Sequence, residues 1–439
     1  MLNTLNFRRF VLIFSDIFLL YFSLLAAVFL GFGKGFSWQI FAEHLLPFSI
    51  VYFFWLVIFY IFGLYDLAGV RLQVVAYPKI IWALLVCLGT GMAFFYLVPI
   101  FGLTPKSNLF LNVLIFAILF FIWRRTFYSL FSSRFFNKAA ILGKNPQKTK
   151  LLAKEIAARP YLGYQSAAIF EKPENLLAKI QEKKIDTLIV DESEIDFDFI
   201  EGLYQCLEAR VNFMDWNHAY ELFCEKIPVD FLDKKWFLEN LREGERKLYD
   251  KTKRALDIII SALILIGTLP VWLLIALLIK LEDRGPVLYR QKRVGKDRRV
   301  FELLKFRSMK ADAEAKTGPV WAQKQDSRVT KVGKILRNLH LDELPQMINV
   351  LKGEISLVGP RPERPAFVQE LEKQIPHYHL RHLIRPGFTG WAQLKFRYGR
   401  TIMDAKEKFE YDLYYLKNRG LFLDLGILLK TFQLFFKNE

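Results

Sequence analysis

Five apolar stretches constrain this chain more than any other feature, because each is about long enough to place a helix in a membrane. Four lie in the first third of the chain, at residues 10–32, 45–64, 80–101 and 109–123. The fifth covers residues 256–281. A helix needs about 20 apolar residues to cross the hydrocarbon core of a bilayer. The sequence therefore predicts a membrane protein whose residues 1–135 form a bundle of four transmembrane helices.

Basic residues at the ends of these stretches predict the orientation. They are concentrated before the first stretch, between the second and third, and after the fourth: Arg8, Arg9, Arg71, Lys79, Arg124, Arg125, Arg134 and Lys138. The two opposite loops carry only Lys34 and Lys106. Because cytoplasmic loops hold the excess of Lys and Arg, we expect the N-terminus and everything after the fourth helix on the cytoplasmic side.

Residues 136–245 alternate short apolar runs with helical ones, which is typical of a parallel α/β sheet. The predicted strands are residues 139–142, 165–170, 187–190 and 211–214, with helices near 147–158, 174–183 and 197–210. A dinucleotide-binding fold carries three glycines in the turn after its first strand, but this turn reads GKNP with Gly143 alone. We predict a degenerate Rossmann-like domain with a structural or regulatory role; an active cofactor domain is the alternative.

The fifth apolar stretch has basic residues on both sides. Lys251 and Arg254 precede it, and Lys280 and Arg284 follow it. Since positive charge marks the cytoplasmic side, both ends are expected to stay there. Pro270 near the middle removes a backbone donor and kinks a helix. The pattern favours a re-entrant membrane helix with its kink at Pro270, and a kinked transmembrane helix is the alternative.

Asp342 and Glu343 are adjacent carboxylates just before Pro345, at a predicted helix start. A structural interpretation is an acidic N-cap with proline in the first helical turn. A catalytic interpretation is that one carboxylate binds Mg²⁺ while the other attacks phosphorus. A metal and nearby cations would then remove the repulsion between a carboxylate and a diphosphate.

Cations suited to that chemistry lie on both sides of the pair. Lys305 and Arg307 alternate with apolar residues in the pattern of a half-buried strand, so we expect them to face a site. Arg361, in the proline-stiffened loop 359–363, is suited to bidentate phosphate contact. The net charge of +17 also favours anionic partners. Nucleic acid is disfavoured, because the basic residues are spread beside membrane segments and form no single stripe.

The region from residue 246 to 439 resembles the bacterial sugar transferases, also called polyprenyl-phosphate hexose-1-phosphate transferases or monotopic phosphoglycosyl transferases. The matching segments are residues 253–257, 285–291, 305–309, 326–330 with Gly333, 342–346, 349–353, 356–363, 385–393 and 411–415. The four-helix front and the Rossmann-like middle are similar to those of large family members. The resemblance thus covers essentially the whole chain and implies a mainly α, monotopic catalytic domain with a re-entrant helix.

The resemblance implies a transferase that moves hexose 1-phosphate from a UDP-sugar, with glucose or galactose favoured, onto undecaprenyl phosphate and releases UMP. It would act at the cytoplasmic face of the bacterial inner membrane and initiate exopolysaccharide, capsule or O-antigen synthesis, and a homodimer is compatible with the large subgroup. Asp342 would be the nucleophile that forms a covalent phospho-sugar intermediate, with Glu343 the Mg²⁺ ligand. Arg337 would contact the lipid phosphate. The other implied substrate-binding residues are Lys305, Arg307, Arg361 and Glu363.

Two other functions stay open. Membrane-bound NAD-dependent nucleotide-sugar dehydratases or epimerases also join four spans to a Rossmann-like domain. Tyr249 and Lys253 have the Tyr-xxx-Lys spacing that such enzymes require, but they lie outside the alternating region and the glycine fingerprint is missing. A non-enzymatic membrane scaffold would explain the helices and leave the carboxylate pair and the phosphate loop without a role.

Overall fold

The computed structural model describes residues 4–65, 73–98, 106–133, 137–172, 174–191, 197–241, 243–310, 328–396, 399 and 401–435. The chain divides into two compact units, Met1–Cys224 and Glu225–Glu439. Arg71, Arg134 and the predicted end of the third stretch at residue 101 lie outside the described residues.

Four long helices begin the first unit. They are α1 (Thr4–Phe32), α2 (Trp38–Ile61), α3 (Gln73–Leu97) and α4 (Lys106–Ser133). Each contains a segment long and apolar enough to cross a membrane, as the sequence predicts. The helices α1 and α4 are joined by a buried ion pair, in which Arg124 donates to Asp16 at 2.7 Å. Because an unpaired charge inside a bilayer is costly, this contact accounts for the acidic residue within α1.

A four-stranded parallel sheet completes the first unit. Its strands are β1 (Asn137–Leu142), β2 (Tyr164–Phe170), β3 (Thr187–Val190) and β4 (Asn212–Asp215). The helices that connect or follow them are α5 (Pro146–Ala158), α6 (Leu176–Lys183), α7 (Phe197–Gln205) and α8 (Trp216–Cys224). The strand order is β2-β1-β3-β4, with every pair parallel. The predicted α/β alternation is therefore confirmed.

The carboxyl ends of β1 and β3 are where this topology would place a ligand, because the strand order reverses there. A buried ion pair occupies that position, with Lys148 Nζ 2.9 Å from Asp191 Oδ2. The indole of Trp216 donates to the Lys148 carbonyl at 3.2 Å. A Cβ at Gly143 would lie only 3.3 Å from the side chains of Asp191 and Thr149. These contacts favour a packed structural turn over a pyrophosphate cradle.

The second unit is mainly helical, as predicted. Its helices are α9 (Lys234–Asn240), α10 (Lys247–Asp283), α11 (Lys331–Asn338), α12 (Gln346–Lys352), α13 (Pro365–Gln374), α14 (Trp391–Lys395), α15 (Ile402–Asn418) and α16 (Leu421–Phe435). An antiparallel hairpin pairs β5 (Leu288–Val294) with β6 (Val300–Phe306), and β7 (Ser356–Val358) runs parallel to β8 (Gly387–Thr389). Ile227, Val229 and Phe237 pack in the core of this unit, so residues 225–245 contribute to it.

The apolar helix α10 contacts the rest of the second unit at both of its ends. Near its start, Arg254 donates to the carbonyls of Val350 and Leu351, at 2.5 and 2.7 Å. Near its end, Glu282 accepts a hydrogen bond from the Lys331 amide at 2.8 Å. The helix is continuous through Pro270.

Between those ends, one face of α10 packs on the core. Ile260 and Ile264 lie against the cluster that contains Leu303 and Met347. Further along, the ring of Trp272 packs against Phe306 with the ring centroids 4.9 Å apart. Of the 18 most apolar consecutive residues of α10, only 11% are buried, so the opposite face of the helix is exposed.

Candidate functional site

The two adjacent carboxylates lie in a short 3-10 helix, Leu341–Glu343, between α11 and α12. His340 precedes it in the left-handed conformation (φ 53°), which turns the chain sharply after α11. The residue that caps α12 is Pro345, with no side-chain hydrogen bond. The N-cap interpretation of Asp342 and Glu343 is therefore wrong, because the extra turn separates both side chains from the start of α12.

Glu343 is held by two cations. Lys305 Nζ and Arg361 NH2 each lie 2.7 Å from its Oε1. The Glu343 side chain is 16% exposed. Burial alone would raise the pKa of Glu343, but Arg361 and Lys305 outweigh it and hold that pKa well below its usual range. Glu343 is thus ionised, and one of its oxygens is fixed between two positive charges.

Asp342 lies in a different environment. It is 8% exposed, and its carboxylate accepts no hydrogen bond from the described residues. Burial raises the pKa of Asp342 above its ordinary value of 3.8, against the opposing effect of Lys305. Arg337 and His340 also act on it electrostatically. A carboxylate that is poorly solvated and not engaged by donors has the properties required of a nucleophile.

The predicted cations occupy distinct places around the pair. Lys305 is on β6 opposite Tyr289 and reaches Glu343, as the strand pattern predicts. Arg337 donates from Nε to Ser308 Oγ at 2.9 Å. Arg307 follows the end of β6 and is buried against Gly285, where a Cβ would lie 1.7 Å from its guanidinium. The structure therefore brings Lys305, Arg337 and Arg361 to the carboxylates and packs Arg307 at the end of α10.

The loop 359–363, which carries Arg361, is fixed through its backbone. Arg381 donates to the Arg361 carbonyl at 2.9 Å, and Arg293 donates to the Pro362 carbonyl at 2.8 Å. Glu363 accepts at its carbonyl from the Val294 amide and lies 3.7 Å from Arg293 in an ion pair. Glu363 therefore helps to fix the loop 359–363 against β5, through its backbone and through its ion pair with Arg293.

Arg381 was not found by sequence reasoning. Its NH2 group also donates to Asp412 Oδ2 at 2.9 Å in a buried pair. Burial raises the pKa of Asp412 to about 6. No local pattern marks Arg381, because its partners lie 20 and 31 residues away in the chain. Contacts between residues far apart in the chain leave no signal in local periodicity or spacing.

Glu343 is the residue that fits a Mg²⁺ ligand. Both of its hydrogen bonds end on Oε1, which leaves Oε2 available to a cation. Among the described residues, no three His, Cys, Asp or Glu side chains come together as a metal-binding group. Mg²⁺ is usually held by one or two carboxylates together with water and substrate phosphates. The residues fit an ion that binds with a diphosphate rather than in an all-protein cage.

Tyr249 and Lys253, the alternative catalytic pair, have structural partners in the second unit. Tyr249 donates to Asp424 Oδ2 at 2.8 Å, and Lys253 donates to the same oxygen at 2.7 Å. These contacts tie α10 to the first turn of α16. The spacing that suggests a dehydratase is therefore explained by a helix–helix contact.

Residues 248–438 match the family model of the bacterial sugar transferases. A UDP-N-acetylgalactosamine-undecaprenyl-phosphate N-acetylgalactosaminephosphotransferase of Aeromonas hydrophila is 41% identical over 52% of this chain and 53% of its own length. An exopolysaccharide production protein of Rhizobium leguminosarum bv. phaseoli is 42% identical over 41% of this chain and 92% of its own length. A putative undecaprenyl-phosphate N-acetylgalactosaminyl 1-phosphate transferase of Bacillus subtilis is 50% identical over 30% and 72%. The chain spans about half of the Aeromonas relative.

Proposed function

Because the chain belongs to the bacterial sugar transferase family, we propose that it transfers a sugar 1-phosphate from a UDP-sugar to undecaprenyl phosphate and releases UMP. The names of the relatives support the two substrates. The activity is proposed for the whole protein, and the residues that would carry out the transfer lie in the second unit.

The transfer occurs in two displacements at Asp342. An oxygen of the Asp342 carboxylate attacks the phosphorus that bears the sugar, and the bond from that phosphorus to the bridging oxygen breaks. UMP leaves with the bridging oxygen and its electron pair. A phosphate oxygen of undecaprenyl phosphate then attacks the same phosphorus, the bond to Asp342 breaks, and the free carboxylate is restored. Covalent catalysis thus divides a reaction between a soluble donor and a lipid acceptor into two steps.

The single observation that carries this assignment is the contrast between the two carboxylates. Glu343 is neutralised by Lys305 and Arg361, whereas Asp342 accepts no hydrogen bond among the described residues. An oxygen held by two cations is a poor nucleophile because its electron pairs are already engaged. The buried and weakly solvated Asp342 is the better one.

The cations around the pair stabilise the charge of the diphosphate. Lys305 and Arg361 would exchange part of their contact with Glu343 for phosphate oxygens, and a Mg²⁺ bound at Glu343 would neutralise phosphate charge when present. Arg337, which acts electrostatically on Asp342, would contact the phosphate of the lipid acceptor. Glu363 contributes by holding Arg293 and the loop, and Arg307 contributes by packing against Gly285.

The packing of α10 supports a re-entrant anchor on the cytoplasmic face of the inner membrane. Both ends of α10 and its middle contact the same compact unit. If α10 crossed the bilayer, the segments packed on it through Phe306 and Leu344 would enter the hydrocarbon core. Their charged chain neighbours Lys305 and Glu343 would then be costly there. A helix that enters and leaves one leaflet avoids this cost, and we propose that it bends in the membrane at Pro270, which removes a backbone donor from the otherwise continuous helix. It also brings Asp342 to the depth of the lipid phosphate.

This reaction would be the first lipid-linked step of exopolysaccharide, capsule or O-antigen synthesis. The test is UMP release by the purified full-length chain with undecaprenyl phosphate and a panel of UDP-glucose, UDP-galactose and UDP-N-acetylgalactosamine. We expect release with at least one donor and none with Asp342→Asn. Lys373→Gln, an exposed charge change on α13, is the matched control and should retain activity. No UMP from any donor, with the protein folded, would contradict the proposal.

The Mg²⁺ proposal has its own test. Because the described residues contain only Glu343 as a fitted ligand, Mg²⁺ alone should bind weakly and should bind more tightly once UDP is present. Isothermal titration calorimetry with and without UDP measures this. Tight binding without UDP would point to a preformed cage and contradict the arrangement.

A further inference from the structure

A cavity apart from the proposed transfer residues lies in the second unit, at the N-terminal end of the apolar helix α10. Its volume is about 430 Å³, and it is bounded by the first turns of α10, the strand β7, and residues Arg385 and Arg419. None of the residues proposed for the transfer lines it: Lys305, Arg337, Asp342, Glu343 and Arg361 are all elsewhere. The cavity therefore needs its own explanation.

The lining of this cavity is strongly basic. Six cationic side chains face two carboxylates; the cations are Lys251, Lys253, Arg254, Lys296, Arg385 and Arg419, and the carboxylates are Asp250 and Asp257. The cations therefore outnumber the carboxylates of the lining by four. A cavity with such an excess favours an anion.

The structure shows the partners of three of these cations. Lys253 is paired with Asp424. Arg254 donates to the Val350 and Leu351 carbonyls, and Arg385 donates to the Gly353 carbonyl at 3.0 Å, so neither guanidinium is neutralised by these neutral acceptors. Both guanidinium groups approach Gly353 and repel each other.

The two carboxylates offset only part of the charge of the six cations. Asp257 is engaged by the Leu357 amide at 3.1 Å. Lys251 and Lys296, both exposed, form no ion pair with any residue that the structure describes. The cavity therefore keeps at least two cations ready for a ligand.

Exposed apolar side chains lie on α10 and α16, the two helices that meet beside the basic cavity. On α10, Leu256 and Ile259 are exposed immediately after the cavity residues. On α16, whose first turn is tied to the cavity through Asp424, Phe422 is 94% exposed and Leu425 is also exposed. A ligand with a phosphate and hydrocarbon chains could bind both the basic cavity and the apolar surface. Its phosphate would contact the cations, and its chains would contact the exposed apolar side chains.

We infer that this cavity binds a phosphate-bearing anion and that the ligand is the headgroup of an anionic bilayer phospholipid. The site is distinct from the acceptor position beside Asp342. It would fix the start of α10 and α16 at headgroup level and so set the depth of the catalytic unit.

The test is native mass spectrometry of the full-length protein in detergent with phosphatidylglycerol or phosphatidylcholine of the same acyl chains. We expect the wild type to prefer phosphatidylglycerol and the double variant Lys251→Gln/Lys296→Gln to lose about tenfold of that affinity. Phosphatidylcholine binding should not change. The control Lys235→Gln/Lys373→Gln removes the same charge from exposed positions on α9 and α13 and should bind as the wild type does.

Competition with inorganic phosphate distinguishes a site for free phosphate from a site for the phosphate of a lipid headgroup. If phosphate binds at the cavity while phosphatidylglycerol shows no preference over phosphatidylcholine, the lipid assignment is overturned. Equal phosphatidylglycerol binding by the wild type and the double variant overturns the site itself. The single charge reversal Lys296→Glu, at an exposed hairpin residue, provides a second variant with no buried contact to lose.

Discussion

Asp342 and Glu343 are neighbours in the chain, yet their carboxylates have opposite electrostatic environments. Two cations hold the pKa of Glu343 well below its usual range, and burial raises the pKa of Asp342. Pairs of acids whose surroundings separate their pKa values in this way commonly divide their roles in catalysis. The 3-10 helix is the cause, because it directs the two side chains to different surroundings.

The first prediction compares two isosteric changes at this pair. Asp342→Asn removes a buried charge that no donor compensates, so it should abolish UMP release without lowering the thermal stability of the catalytic unit. Glu343→Gln leaves Lys305 and Arg361 without an anionic partner and should destabilise the fold by about 1–3 kcal/mol. Thermal unfolding followed by tryptophan fluorescence measures both. A larger loss for Asp342→Asn than for Glu343→Gln would reverse the assignment of environments.

The second prediction concerns pH. The attacking form of Asp342 is the carboxylate, and its pKa is raised, so the rate should fall as the pH decreases through a value above 3.8. Glu343 stays ionised over that range because its pKa is lowered. Initial rates of UMP release between pH 4 and 8 locate this limb. Unfolding must be followed in the same buffers, and a rate that stays flat while the protein is folded would contradict the raised pKa.

The third prediction tests Arg381 as a positioning residue. It touches no substrate in the proposed mechanism, but its guanidinium holds the Arg361 carbonyl and Asp412 together. Arg381→Lys keeps the charge and loses the planar fork. We expect KM for the UDP-sugar to rise about tenfold, which corresponds to about 1.4 kcal/mol.

Two further measurements make the Arg381 result specific. The acidic limb of the rate should be unchanged in Arg381→Lys, because Asp342 is not moved. A loss confined to kcat, with KM unaltered, would show that Arg381 does not act through the phosphate-binding Arg361.

The fourth prediction concerns the anchor. If α10 enters and leaves one leaflet, cysteines introduced at Lys247 and Arg284, on either side of it, should react with an impermeant maleimide only from the cytoplasmic side. The three native cysteines are buried, so the background should be low. Inside-out and right-side-out vesicles provide the two sides. Labelling of Arg284→Cys from the periplasm would establish a full crossing.

Much of the fold follows from local patterns. The strands at Thr187–Val190 and Tyr164–Phe170 agree with the apolar runs within one residue, because each run is short and is bounded by polar turns. The helix from Leu421 combines the buried Ile427 with the exposed Phe422, which fits both packing on the core and contact with the membrane. The helical spacing of apolar residues in the sequence predicts such buried and exposed faces.

The site could be predicted only in part. Adjacent acids and the Lys305 strand are visible in the sequence, and the structure brings Lys305 to Glu343. The 3-10 turn after His340 was missed, because a histidine with positive φ has no reliable local signal. For Arg307 the sequence predicts a side chain that faces the site, and the structure buries it against Gly285, a close approach that no local pattern indicates.

The most direct test of the proposed chemistry is to trap the covalent intermediate. The full-length protein is incubated with UDP-sugar and Mg²⁺ in the absence of undecaprenyl phosphate, quenched in acid and digested, and the peptide that contains Asp342 is analysed by mass spectrometry. We predict a sugar phosphate on Asp342 that disappears when undecaprenyl phosphate is added and never forms in Asp342→Asn. An adduct on Glu343, or turnover by Asp342→Asn, would contradict the assignment of Asp342 as the nucleophile.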